Sequence, residues 1–350
     1  MIKEKGRDDF LSFPFSQIPL NKNQFWKMKN LYKFIFILYV LFSFFSCVSF
    51  SSTKQKGFHV EGKTLYDANN NPFVFRGVNH MYTWYPYNME IVAESLSKSG
   101  ANSVRIVLSN GSGRWRKNSV VEIKNLISIC KKYKLIPILE VHDTTGKWKP
   151  VDLVSAAQYF IDIKEALLGE EAYVILNIAN EWPSNNDSGT WQAAYEVVLP
   201  LIRKAGLNHT IMIDCAGGGQ FGKCLEDGGL KVLQADPLKN TMFSIHMYGT
   251  AGGSPEIIEK NIKYATENDL CICVGEFGFS HTDGDVDEDF IMKYCQENQI
   301  GYLGWSWKGN SDELLDMAKS WDGNLTDWGK SIIFGENGIK ATSKPCSIFK

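Results

Sequence analysis

From residue 57 onward, short apolar runs rich in β-branched and aromatic side chains alternate with longer segments whose apolar positions recur at a helical period. The runs are FVFRGVNHM (73–81), SVRIVLS (103–109), IPILEVHD (136–143), YVILNIANE (173–181), TIMIDCAG (210–217), MFSIHMYG (242–249), CICVGEFG (271–278) and YLGWSWKG (302–309). Between them the pattern predicts helices near 88–99, 119–133, 151–168, 190–204, 226–236, 255–267, 287–298 and 311–319. Near-continuous apolar strands alternating with amphipathic helices predict a parallel sheet covered on its outer face. Eight such units in this length predict an α/β fold of the (β/α)8 TIM-barrel type rather than an open sheet. Ahead of the first unit, FHVEGKTLYDANNNPFVF reads as a hairpin with an Asn-rich turn, capping the barrel floor. No Pro-, Ser- or Gly-rich linker interrupts residues 57–350, which read as a single domain.

Residues 1–50 read differently. Lys29 and Lys33 precede FIFILYVLFSFF (34–45), and SCVSFSST follows. A positive start, a short apolar stretch and small residues after it predict a secretory signal peptide over 28–50 and an exported protein. The stretch is short for a spanning helix. A retained signal anchor, or lipidation at Cys47, stays open as a variant of export. Met28 sits where such a peptide begins, which leaves residues 1–27 as an extension or an upstream start.

The strands share a second regularity. Nearly all of them end in polar or aromatic side chains: Asn79 and His80, Arg105, His142 and Asp143, Asn180 and Glu181, His246 and Tyr248, Glu276, Trp305 and Trp307. In a barrel of this kind, the C-terminal strand ends form the active face. Glu181 closes the fourth run and Glu276 the seventh, so closure places both at one rim. Taken singly, Glu181 is equally explained as a helix cap and Glu276 as a loop residue. Together they are the minimum equipment for cleaving a glycosidic bond, one protonated to assist departure and one ionised to attack.

The ordered set VRI, EVHD, IANEW, HMY, GEFG and GWSW resembles glycoside hydrolase family 5. Within that family LEVHDTTG, LNIANEW, AGLNHTIMID, NTMFSIHMY, GWSWKGN and LTDWG are similar to the bacterial-type β-mannanases, over 57–350. The resemblance implies a catalytic domain spanning 57–350 that hydrolyses internal β-1,4 linkages of mannan, glucomannan or galactomannan with retention. It implies Glu181 as acid/base and Glu276 as nucleophile, with Asn180 on the sugar 2-hydroxyl. Arg105 and Tyr248 would attend the nucleophile, and His246 would shape the charge at the acid/base. His142 would line the sugar site, Trp305 would form its platform, and Trp84 would extend the groove or simply pack. The group's loop after strand five carries an aromatic where this chain has Gly218, within AGGGQ. That departure leaves a platform missing there. The nearest alternatives are an endo-β-1,4-glucanase on the same barrel and a non-catalytic carbohydrate-binding barrel; the second predicts erosion of the glutamates, which are present.

The remaining composition adds limits. A net charge of −2 gives no footing for nucleic acid, so the expected partner is a β-mannan-type polysaccharide met by a monomer with no obligatory protein partner. Ten Trp, 14 Tyr and 21 Phe fit either core packing or an aromatic groove. Beyond Cys47, seven of the 8 cysteines remain, an odd number that leaves at least one thiol free or paired with another chain; Cys215 and Cys224 are spaced for a short bridge. No zinc spacing occurs, and DGDVDED (283–289) departs from a calcium loop at Glu288 and Tyr294. It reads instead as a helix start capped by Asp287. No metal and no cofactor are expected. The glycines at 217–219 lack the context of a dinucleotide loop. His209 reads as structural, and Asn110, Asn186, Asn208 and Asn324 begin glycosylation sequons.

Overall fold

The computed structural model describes residues 57–350. The predicted signal peptide, Cys47 and the 1–27 extension lie outside them. Eight parallel strands close into a barrel: Arg76–His80, Ser103–Leu108, Ile136–Val141, Ile175–Asn177, Ile211–Asp214, Thr241–Met247, Ile272–Phe277 and Gly301–Gly304, the last pairing with the first. Every residue of these strands is buried, which is why the runs read as unbroken apolar stretches rather than alternating ones. Helices wrap the outside, among them Met89–Lys98, Val120–Lys132, Pro150–Asp162, Ser188–Lys204, Pro255–Thr266 and Glu288–Glu297. Their termini carry the expected chemistry: Ser119 and Glu122 form a reciprocal cap, and Asp287 accepts from the Phe290 N–H, as read from the acidic stretch.

Two expected elements are corrected. The segment 311–319 is not a helix but a loop with a 3-10 turn at Glu313–Leu315. The Asp316 carboxylate accepts from the backbone N–H groups of Gly309 and Asn310, both at 2.8 Å, and this folds the segment back under strand eight. The closing helix is Asp327–Phe334, capped by Thr326. The floor hairpin is real, His59–Glu61 against Thr64–Tyr66, but it turns at Gly62 (φ +56°) rather than in the Asn-rich stretch. That stretch makes a second turn, in which Asp67 accepts from the N–H groups of Asn69 and Asn71 at 3.0 Å.

The hairpin region seats Phe58, Leu65, Phe73 and Phe75 on Ile136, Ile138, Ile175, Met212 and Leu303, closing the barrel at its N-terminal end. The seven cysteines among the described residues are buried and unbonded, so the spacing of Cys215 and Cys224 does not become a bridge. Burial pushes the Cys271 and Cys295 thiols up to about 12.

Phe73 packs edge-on against both Phe58 and Phe75, with ring centroids 5.3 and 5.6 Å away. Phe73→Ala is expected to lower unfolding stability by about 3–5 kcal/mol in guanidinium titration, leaving the far rim's chemistry unchanged. A loss below about 1 kcal/mol would show that the hairpin is ornamental.

Candidate active site

Glu181 lies four residues past the end of its strand, which stops at Asn177. The chain continues in line through Asn180, whose N–H donates to Val141 O at 2.9 Å, and then breaks out of the sheet. Glu181 itself has φ +54°, a left-handed conformation that costs a non-glycine residue about 1–3 kcal/mol. Its N–H is fixed by Asp214 Oδ2 at 3.0 Å. The strained backbone and this anchor turn the carboxylate into the barrel mouth, half-buried, where Oε1 meets His246 Nδ1 at 3.1 Å.

Glu276 enters from the seventh strand. Ile245 pairs with Val274 and His246 with Glu276, so Gly275 is the extra residue of a β-bulge that aims both side chains inward. Arg105 Nη1 donates to Glu276 Oε1 at 2.7 Å, and the Tyr248 hydroxyl donates to Oε2 at 2.9 Å. Burial pushes the Glu276 carboxyl above its ordinary value, with the Glu181 carboxylate acting the same way against His246, Arg105 and His142. The upward direction differs from the downward pull expected of Arg105 alone: the guanidinium does lower the pKa, but burial outweighs it. Both oxygens nonetheless face donors, and the ionised form is the one these hydrogen bonds fit. Burial, then the charges of Glu276 and Glu181, lift the Tyr248 phenol well above its usual range, so it stays a donor.

Arg105 is fully buried and each of its five N–H donors has a partner: Asn177, Asn79, Glu276, Asn180 and Asp214. Asn180 in turn donates to Thr145 Oγ1 at 2.7 Å. His246 lies between the two glutamates, its Nδ1 3.5 Å from Glu276 Oε2, while Nε2 stands 3.3 Å from Asp214 Oδ2 outside hydrogen-bonding geometry. Burial opposes a charge on this ring, but Glu276 and Asp214 outweigh it and raise the pKa from 6.5 to about 10. Burial likewise opposes a proton on His142, and Glu140, 3.1 Å from its Nδ1, raises it.

On one side of the glutamates stands an aromatic cluster. His142 stacks on Trp305 at 5.6 Å and 19°, and Trp84 meets both rings edge-on at 5.3 and 6.4 Å. Trp305 is held by its Nε1 donating to Asn310 Oδ1 at 2.9 Å. Trp84, Trp115, His142 and Thr145 open into a cleft of about 260 Å³. On the other side run Gly217, Gly218 and Gly219, all at positive φ. A Cβ at Gly219 would lie 2.7 Å from the His246 ring, whereas one at Gly218 would meet nothing within 4 Å. The missing aromatic thus leaves open space.

All nine site residues read from the sequence converge on this rim. Two other strand-end residues do not: His80 is buried against Trp321 without a hydrogen bond, burial lowering it to about 3, and Trp307 is buried with its N–H on Trp321 O. His209 is buried in the same way, lowered to about 4, and is structural. Sequence reading missed Asp214, Glu140 and Asn177. Each is a polar residue inside an apolar run, and that interruption was the available signal. Glu181, His246 and Glu276 place one ligating atom each within 4.8 Å of one another, a donor set able to approach a metal. An imidazolium between two carboxylates accounts for that closeness by itself.

Two carboxyl groups converging across the mouth of a closed barrel, one oriented by a buried arginine and a tyrosine, define a glycoside hydrolase. Residues 66–311 match the family described as Cellulase (glycosyl hydrolase family 5), and the chain belongs to that family. It is 48% identical over 296 residues to a mannan endo-1,4-beta-mannosidase of Salipaludibacillus agaradhaerens, covering 84% of this chain and 96% of that protein. It superposes on the beta-mannanase from Thermomonospora fusca with TM-score 0.79 and 41% identity, over 84% of this chain and 100% of that one. The beta-mannanase from Streptomyces thermolilacinus with mannohexaose gives TM-score 0.79 at 38% identity, over 84% and 98%.

The His246 charge is tied to folding. Its raised pKa contributes stability that is complete below pH 6.5 and lost as pH rises through about 10. Asp214→Asn removes one supporting anion. Histidine-labelled NMR is expected to show the imidazole titrating at lower pH in that variant; an unchanged midpoint would contradict the electrostatic account.

Proposed function

We propose that this chain is an endo-acting β-1,4-mannanase that cleaves mannan, glucomannan or galactomannan by double displacement. The carrying observation is the approach of Glu181 and Glu276, whose facing oxygens lie within 4.8 Å. Carboxyl groups about 5–5.5 Å apart act by retention, while inversion needs about 6.5–9.5 Å to admit a water. Glu276 attacks the anomeric carbon as Glu181 protonates the departing oxygen, giving a glycosyl-enzyme. Glu181 then takes a proton from water, which releases the sugar with its configuration kept. Asn180, fixed by Arg105, bonds the sugar 2-hydroxyl, a contact that strengthens in the transition state. Trp305 offers a flat apolar face beneath the ring beside His142, and Trp84 continues the groove.

The substrate rests on the relatives, which are named as mannan-hydrolysing enzymes, and on a solved neighbour holding mannohexaose. The enzyme works as a monomer with no cofactor and no metal, and residues 57–350 are its catalytic domain. Export fits the substrate, since a plant-type polymer does not enter cells, and FIFILYVLFSFF supplies the leader. A second reading, hydrolysis of β-1,4-glucan, is favoured by the family description itself, Cellulase.

Initial rates on galactomannan and carboxymethylcellulose decide between the two. We expect galactomannan to be preferred, and the opposite order overturns the substrate. Glu276→Ala is expected to lower kcat by about four orders of magnitude, with the fold retained but the melting temperature lowered because an Arg105 donor loses its partner. A mannose-based mechanism-based inhibitor should label Glu276, as read by peptide mass spectrometry. Label on another residue would remove Glu276 from the nucleophile's role.

A further inference from the structure

Just beyond Glu276 the chain doubles back in a short hairpin, Ser280–His281 against Gly284–Asp285. Its turn residue Asp283 reaches across to the loop after strand six. The Asp283 carboxylate accepts from the backbone N–H groups of Gly249 at 3.1 Å and Thr250 at 3.0 Å, and from Gln220 Nε2 at 3.2 Å. His281 Nδ1 lies 2.7 Å from the same carboxylate. Gln220 turns its own Oε1 to the N–H groups of Tyr248 and Ala251, each at 3.3 Å. The His281 ring lies on the Tyr248 ring with centroids 4.5 Å apart and planes inclined by 31°. Two of these contacts, Gln220 Oε1 on the Tyr248 N–H and the His281 ring on the phenol, fall on the residue whose hydroxyl donates to Glu276, and others fall on Gly249, Thr250 and Ala251 just after it. Burial works against the Asp283 charge, yet the donors hold its carboxyl well below the usual range, so it acts as an anion across the working pH.

The stretch from Tyr248 to Ala251 is otherwise held by the Ala251 carbonyl, which accepts from Asn261 Nδ2 at 3.1 Å, and by the Tyr248 ring packing among Met81, Val107, Trp305 and Leu315. Gly249 has no side chain, and a Cβ there would collide with the backbone of Asp283 and Gly284, so the strap and the loop meet backbone to backbone. Tyr248 begins a single helical turn, Gly249–Gly252, whose first N–H groups have no helical partner and are the ones Asp283 satisfies.

We infer that His281 and Asp283 are positioning residues, which hold the Tyr248 hydroxyl against the nucleophile through a strap closed over the strand-six loop. The inference rests on Glu276 being the nucleophile. Asp283 fixes the backbone on one side of Tyr248 and His281 fixes its ring, so the phenol keeps its 2.9 Å contact through both displacement steps. A loss of order 1 Å in such placement costs up to about a hundredfold in rate.

A double-mutant cycle on mannohexaose hydrolysis tests it, with kcat and KM measured separately and melting recorded for each variant. Asp283→Ala is expected to lower kcat about tenfold with KM held within about twofold, and the isosteric Asp283→Asn to lower it by less. His281→Ala should follow Asp283→Ala, and His281→Phe, which keeps a ring on Tyr248, should recover most of the rate. In a Tyr248→Phe background, Asp283→Ala should cost no more than about a further twofold, because the group it positions is gone. Wild-type kcat in both Asp283 variants, or losses that multiply in the double variant, overturn the strap while leaving the nucleophile in place. Full turnover by Glu276→Ala overturns the nucleophile, and the strap with it.

Discussion

One guanidinium organises the rim. Arg105 is buried in the barrel with every N–H engaged, and its partners include the groups to which the proposed chemistry is assigned. It touches Glu276 directly and fixes the Asn180 amide. It also reaches Asp214, which holds the backbone of Glu181. The proposed nucleophile, sugar contact and acid/base are therefore each within two hydrogen bonds of a single side chain. A buried arginine is tolerable only when fully paired, since losing one partner leaves a charged donor without water. The demand for complete satisfaction is what makes the arrangement rigid.

Charge is balanced over the same group. Glu140, Asp214 and Glu276 lie within 4 Å of Arg105, His246 adds a protonated ring beside them, and Glu140 raises the His142 imidazole above its ordinary value. His246 is the ring between the two glutamates, so its proton tempers the repulsion that would otherwise oppose their approach. The β-bulge at Gly275 and the left-handed backbone at Glu181 are the two irregularities that aim these side chains. The first interrupts a strand at the active face, and the second turns the chain just after one.

Much of this was legible from residue pattern. Continuous apolar runs gave the barrel, because buried parallel strands have no polar face to show. Polar residues at the run ends gave the rim. The helix expected over 311–319 failed because apolar period carries no information about Asp316 gathering the N–H groups of Gly309 and Asn310. Asp214, Glu140 and Asn177 escaped because a polar residue inside a run resembles ordinary variation until its partner across the barrel is known. His80 and Trp307 were misplaced for a related reason. Period tells which residues end a strand, but not whether the last side chain points into the mouth or out to the helices.

The unbonded thiols carry a consequence of their own. Reactivity belongs to the thiolate, and burial lifts Cys130, Cys271, Cys273 and Cys295 so far that almost none is ionised at neutral pH. Among the described residues the barrel therefore takes none of its cohesion from disulfides, and these thiols offer oxidants little to attack. A reductant in the medium therefore finds no cross-link to break among the described residues.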